Sequence, residues 1–193
     1  MLKFSIFVVL ITLVGVSCTT AQTAKPASTS DTVYLAAVRE FARNIVATPD
    51  ESTPPFFLQD SVDAGSSFGF LNSCLGDTGT FTTPERAQIK RWADHPIFQA
   101  WTLDMSPGVR LIPKDTITWI FSRMHRDGWA YFYHHYGPGF HSIGCPLFLR
   151  DYTWCLFYIS HHCGWLCADG QLALYKKEGG RWVFVKNWGE WES

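Results

Sequence analysis

The sequence predicts an α+β fold: N-terminal helices packed on a C-terminal antiparallel β-meander of about four strands. Three observations predict it. Apolar residues recur at helical spacing along the first two-thirds of the chain. From residue 140 onward they fall instead into short runs separated by turn residues. Glu178-Gly179-Gly180 then reads as a tight hairpin between the last two runs, because glycine supplies the positive φ such turns require. Helices first and strands last argue for helices gathered on one face of the sheet.

The 193 residues suffice for one domain of ordinary size. Sixteen Lys and Arg balance seventeen Asp and Glu, for a net charge of −1. That balance argues against nucleic acid as the main partner, since phosphate binding needs a basic surface. Charged residues make up 17% and aromatics 16%, with nine Trp, a composition of folded chains with an aromatic-rich core or binding surface.

The N-terminus predicts location. Lys3 precedes the uncharged run Phe4–Val16, which is shorter than the roughly 20 residues a membrane span needs. It fits the apolar region of an export signal. Val14-Gly15-Val16-Ser17-Cys18 resembles a lipobox, with Cys18 as the residue that would carry lipid. The alternative is ordinary cleavage after Ala21 and secretion. The chain therefore divides into an export signal (1–17), a small, polar, flexible tether (18–30) and one α+β domain (31–193).

Asp31 is positioned to cap the first helix, whose apolar face is Tyr34, Ala37, Val38, Phe41 and Ile45. Pro49 ends it. Residues 48–82 are rich in Ser, Thr, Asp, Gly and Pro, with one short strand or helix expected around Ser67–Leu75. Thr83 then caps a second helix, with Pro84 at its first position and Ile89, Trp92 and Ala93 as its face. Val109–Pro113 is a short extended segment. Asp115 begins a third helix through Ile117, Ile120, Phe121 and Met124. Asp127-Gly128 interrupts it, and Trp129, Phe132, Tyr133 and Tyr136 repeat the spacing up to Gly137-Pro138. The four strands are Phe140–Phe148, Tyr152–Ser160, Gln171–Lys177 and Arg181–Trp188. The second is apolar on both alternating sets, as a strand covered on both faces must be. Trp182, Phe184 and Trp188 are expected on one face of the fourth, and Gly189 marks a bulge.

The densest chemistry lies in a loop, His161–Gly170, between the second and third strands. Cys163 and Cys167 can bond to each other, stay as thiols, or bind zinc with His161 and His162. In an exported chain the local disulfide is the plainer reading, and zinc is the alternative cofactor. Cys74, Cys145 and Cys155 complete an odd set in the mature chain. His134, His135 and His141 could join His161 and His162 in a cluster, but surface histidines near a helix end are the simpler reading. Cys145 or Cys155 with His141 is a conceivable nucleophile pair, although a mid-strand Cys155 more naturally packs. No nucleophile elbow, phosphate loop or HExxH pattern occurs, so no catalytic residue is nominated. Trp165, within the loop, is the aromatic best placed for contact with a protein or glycan.

Trp129, Phe132, Phe148, Asp151, the segment Cys163-Gly164-x-Leu166-Cys167, then Gly170, Leu174, Lys176-Lys177, Gly180-x-Trp182 and Trp191-x-Ser193 together are similar to a group of exported bacterial proteins of unknown function. In these, a Cys-Gly-x-Leu-Cys-Gly-type loop joins two strands and the chain ends in Trp-x-Ser. The resemblance covers about residues 109–193 and departs at Ala168-Asp169, where small Gly or Ser is the pattern. It implies an exported, often lipid-anchored domain and carries over no catalytic residue. The expected function is that of a membrane-tethered binding domain of the cell envelope, periplasmic or outer-membrane-associated. An envelope enzyme or zinc protein built on 161–167 is the alternative.

Overall fold

In the computed structural model, residues 29–46, 57–63, 69–105, 108–123 and 127–193 are described. The expected export signal, Cys18 and the tether up to residue 28 lie outside them. Elements follow in the order α1 (Thr29–Ile45), β1 (Phe57–Gln59), α2 (Leu71–Gly76), α3 (Thr83–Asp94), β2 (Arg110–Ile112), α4 (Lys114–Arg123), α5 (Gly128–His135), β3 (Phe140–Ile143), β4 (Leu147–Leu149), β5 (Trp154–Gly164), β6 (Cys167–Glu178) and β7 (Arg181–Glu192). The fold is mixed α+β, with the helices mostly N-terminal. Its sheet has seven strands in the order β2-β1-β3-β5-β6-β7, with β4 also on β5, so about four strands was too few.

The spine is β5. Its odd-numbered residues Cys155 and Phe157 join α1 residues Tyr34, Val38 and Phe41 in one buried cluster. Its even-numbered residues Leu156 and Tyr158 join Cys74, Phe81, Ile89 and Trp92 from the α2–α3 region in another. Side chains alternate across a strand, so these clusters lie on opposite faces. The helices therefore cover both faces, which corrects the expectation of a one-sided layer. An apolar residue at every position of a strand has nowhere to go unless both sides are covered. A third cluster sets α4 and α5 against Phe57, Ile112 and Phe140. Phe140 pairs with His162, so this cluster shares the α2–α3 face farther along β5.

Phe41 centres the α1 side. It is fully buried, with edge-on contacts to Phe157 at 5.0 Å, Trp182 at 5.2 Å, Tyr175 at 5.4 Å and Phe148 at 6.1 Å between ring centroids. On the other side Asp77 ties the α2–α3 connection to β7. Its carboxylate accepts from Lys186 Nζ (2.7 Å), Thr80 Oγ1 (2.8 Å) and Trp188 Nε1 (3.1 Å). The Lys186 bond first, then Thr80, holds its carboxyl well below the usual range.

Local differences from expectation have identifiable causes. The first helix starts at Thr29, which places Asp31 in its first turn rather than at its cap. The cap of α3 is Thr82, one residue early, because Thr82 and Glu85 close a reciprocal capping box. The expected strand Phe140–Phe148 is two strands, β3 and β4, set end to end along one edge of β5. Pro146 lies between them and has no N–H to continue a ladder. Segment 48–82 contains α2 and a strand, β1, which runs parallel between β2 and β3. Trp182 and Trp188 fall in different clusters, and Phe184 is exposed. Between Leu174–Lys186 and Tyr175–Phe184 the register shifts by one residue, and that bulge reverses which face later side chains meet. A second shift surrounds Gly189, whose φ is 92° and where a Cβ would overlap the Phe70 ring. Gly179 and Gly180 have φ of 56° and 80°, as the expected hairpin requires.

Replacing Phe41 with Ala should lower unfolding stability by about 3–5 kcal/mol, the cost of an aromatic cavity in a closed core. Phe184→Ala, at the exposed rim, should cost far less. Urea titration of both variants checks this; equal losses would contradict the placement of the core.

Candidate functional site

The expected loop is a hairpin. β5 and β6 continue to Gly164 and Cys167, leaving Trp165 and Leu166 as the turn. Pairing runs from Trp154–Lys176 to Gly164–Cys167, with one irregularity between His162 and Gly164. Cys163 and Cys167 are joined by a disulfide, with Cα atoms 5.0 Å apart. The crosslink closes a tip that the ladder already brings together.

The tip leans on α5. Tyr133 donates to the Cys163 carbonyl at 2.5 Å and stacks on Trp129 at 5.6 Å. Trp165 meets Phe121 of α4 edge-on at 6.2 Å. Its other side faces solvent: Trp165 is 61% exposed and Leu166 88%. An 88% exposed leucine beside a mostly exposed tryptophan is a small apolar knob on a rigid base. A cleft of about 410 Å³ borders it, lined in part by Asp169, Glu190, Trp191 and Glu192.

Successive residues on β5 point to opposite faces, so His161 and His162 diverge. His161 lies 3.4 Å from Asp169 and stacks on His141 at 4.7 Å. His162 stacks on Phe140 at 5.0 Å, and its Nε2 is 3.2 Å from Ser160 Oγ. Neither joins the disulfide in a ligand set, and no group of three or more candidate ligands forms among the described residues. His134 and His135 are exposed on α5.

The remaining thiols are buried. The Tyr34 hydroxyl lies 3.0 Å from Cys145 Sγ. Burial raises the Cys145 thiol, pushes Cys74 up to about 12, and lifts the fully buried Cys155 well above its ordinary value. Such thiols stay protonated at neutral pH, which removes the nucleophilic form that a Cys145–His141 or Cys155–His141 pair would use.

Sequence reasoning missed a second feature. Along the α2–α3 face of β5, Leu156 and Tyr158 belong to the α2–α3 cluster, and His162 meets Phe140 of the α4–α5 cluster. Between them lies polar floor. Ser160, 2% exposed, donates to the Ser142 carbonyl at 3.2 Å, and Ser142, 5% exposed, reaches Asp63 Oδ2 at 3.4 Å. A cavity of about 510 Å³ opens here, with Asp63, Lys114, Gln59, Gln99, Ser142 and His162 on its walls. Burial raises the Asp63 carboxyl, opposed by its bond to Ser142 and by the charge of Lys114. Burial and then the His161 charge lower His162. The only signal in the sequence was two serines placed inside otherwise apolar strands.

No family model, curated protein or solved structure matches this chain.

Burial, followed by the neighbouring His161, depresses His141 from 6.5 to about 4, while a bond to the Phe57 backbone acts in the opposite sense. A histidine depressed in the fold binds its proton more readily when unfolded. The contribution of His141 to stability is therefore fully present above about pH 6.5 and is lost as pH drops toward 4. The loss should be on the order of 2 kcal/mol after allowance for partial solvation. His141→Gln should flatten that slope in urea titrations between about pH 7 and pH 4.5, with His162 leaving a smaller residue of it. An unchanged slope would contradict the burial of His141.

Proposed function

We propose that the chain is an exported binding domain, tethered to a membrane by lipid on Cys18, which presents the Trp165–Leu166 tip to a protein or glycan partner of the cell envelope. The observation that carries this reading is the tip itself: two large apolar side chains held in solvent on a disulfide-closed hairpin. Apolar exposure of that kind is costly unless something covers it, and a rigid base lowers the ordering entropy lost on binding. The disulfide fits an oxidising compartment, which agrees with the export signal read from residues 1–17. The similarity to exported proteins with a Cys-Gly-x-Leu-Cys loop supports the same location. No helix among the described residues is long and apolar enough to cross a membrane.

The enzyme and zinc alternatives depended on His161, His162, Cys163 and Cys167 converging. The two histidines diverge and the two sulfurs bond to each other, which supports the binding reading over these alternatives.

Metabolic lipid labelling should tag the wild-type chain and not Cys18→Ser, which should leave the membrane fraction. A Trp165→Ala/Leu166→Ser double variant should keep its thermal stability and lipid label yet lose its cross-links to envelope material. Label on Cys18→Ser, or unchanged cross-linking by the double variant, would overturn the reading.

A further inference from the structure

The cavity over Ser142 and His162 is separate from the hairpin tip, and a ligand bound there is independent of what the tip contacts. Two opposite charges line it. Asp63 is fixed by its backbone, whose N–H donates to the Ile143 carbonyl at 3.0 Å, and by the Ser142 hydroxyl. Lys114 opens α4, and its backbone N–H donates to Asp60 Oδ1 at 2.9 Å. Both charged residues are therefore set on backbone pinned near the sheet edge. They face one cavity and feel each other's charge without closing an ion pair with each other. A half-buried carboxylate that shares a cavity with a lysine but closes no ion pair with it is incompletely compensated.

The remaining wall is neutral. Gln59 and Gln99 offer carboxamides, and Gln59 Nε2 is occupied by Ser61 Oγ at 2.6 Å. His162 faces the same space, with Ser160 and Phe140 against its ring and the charges of His161 and Asp169 acting on it from outside the cavity wall. The lining thus presents one negative and one positive pole with amide and hydroxyl groups between them. We propose that this cleft binds a small zwitterion of the α-amino-acid class, its ammonium on Asp63 and its carboxylate on Lys114. Each pole gains a charge-assisted hydrogen bond, the strong kind. A neutral sugar would leave both poles unmatched, and a simple anion would meet Asp63. About 510 Å³ holds more than the amino-acid head group, so the carboxamides are left to read a side chain.

The test uses the exported, disulfide-intact full chain. The full set of common L-α-amino acids is screened singly by thermal shift at millimolar concentration, and positives are titrated by calorimetry. Their N-acetyl and α-amide derivatives, glucose and N-acetylglucosamine serve as probes lacking one or both charges. At least one free amino acid should bind saturably, and blocking either charge should weaken it about tenfold or more, the effect of one charge-assisted bond. Asp63→Asn and Lys114→Gln should each do the same with the circular dichroism of the fold unchanged. Should Asp63→Asn perturb folding, Lys114→Gln, on an exposed side chain, decides alone. Binding by no amino acid, tighter binding of a sugar, or equal binding of the blocked derivatives would overturn the proposal.

Discussion

The structure depends on covering both faces of one strand. β5 places Cys155 and Phe157 against α1, and Leu156 and Tyr158 against the α2–α3 region. No single helical layer can satisfy that strand. The chain must send α1 to one side and α2–α3 to the other, and all three precede the strand in sequence. Everything else is attached to this arrangement. β6 repeats it, with Ala173 and Tyr175 on one face and Leu172 and Leu174 on the other. β7 adopts it through a bulge that delivers Trp182 to one core and Trp188 to the other.

The same strand changes character along its length, and both candidate sites follow from that change. Its first half is apolar on both faces. From Ser160 onward it carries Ser, His, His and Cys, and the cores give way to polar groups and then to solvent. One face of that second half floors the Asp63–Lys114 cavity. The end of the strand becomes the disulfide hairpin, braced by Tyr133 and Phe121. The rigid core thus supports a cleft and a knob near one end of β5.

Much of this was legible in the residues. Helical spacing located α1, α3, α4 and α5 because each has a strong apolar face, and Gly179-Gly180 named its turn. The double apolar alternation of β5 stated the two-sided cover outright, and the order of helices before strands suggested a one-sided layer that it could not accommodate. β1 was missed because its three residues show too little periodicity to announce a strand, and its partners β2 and β3 are far away in sequence. The bulge that separates Trp182 from Trp188 is a property of pairing, invisible to a period-two count. Of the sites, the Cys163–Cys167 pair was readable because its spacing is local. The cavity was not, because Asp63, Lys114 and Ser142 meet only through the fold.

The central claim, that β5 is the spine on which both helical layers converge, is tested most directly by native-state hydrogen exchange resolved to single amides. Exchange in β5 from Cys155 to Tyr158 and in β6 from Leu172 to Leu174 should be the slowest in the molecule, proceed only through global unfolding, and share one free energy. Amides of α4, α5 and the 163–167 tip should open earlier. If the β5 and β6 amides exchanged as fast as those of α4–α5, or if α1 and α2–α3 opened without exposing β5, the account of the fold would be contradicted.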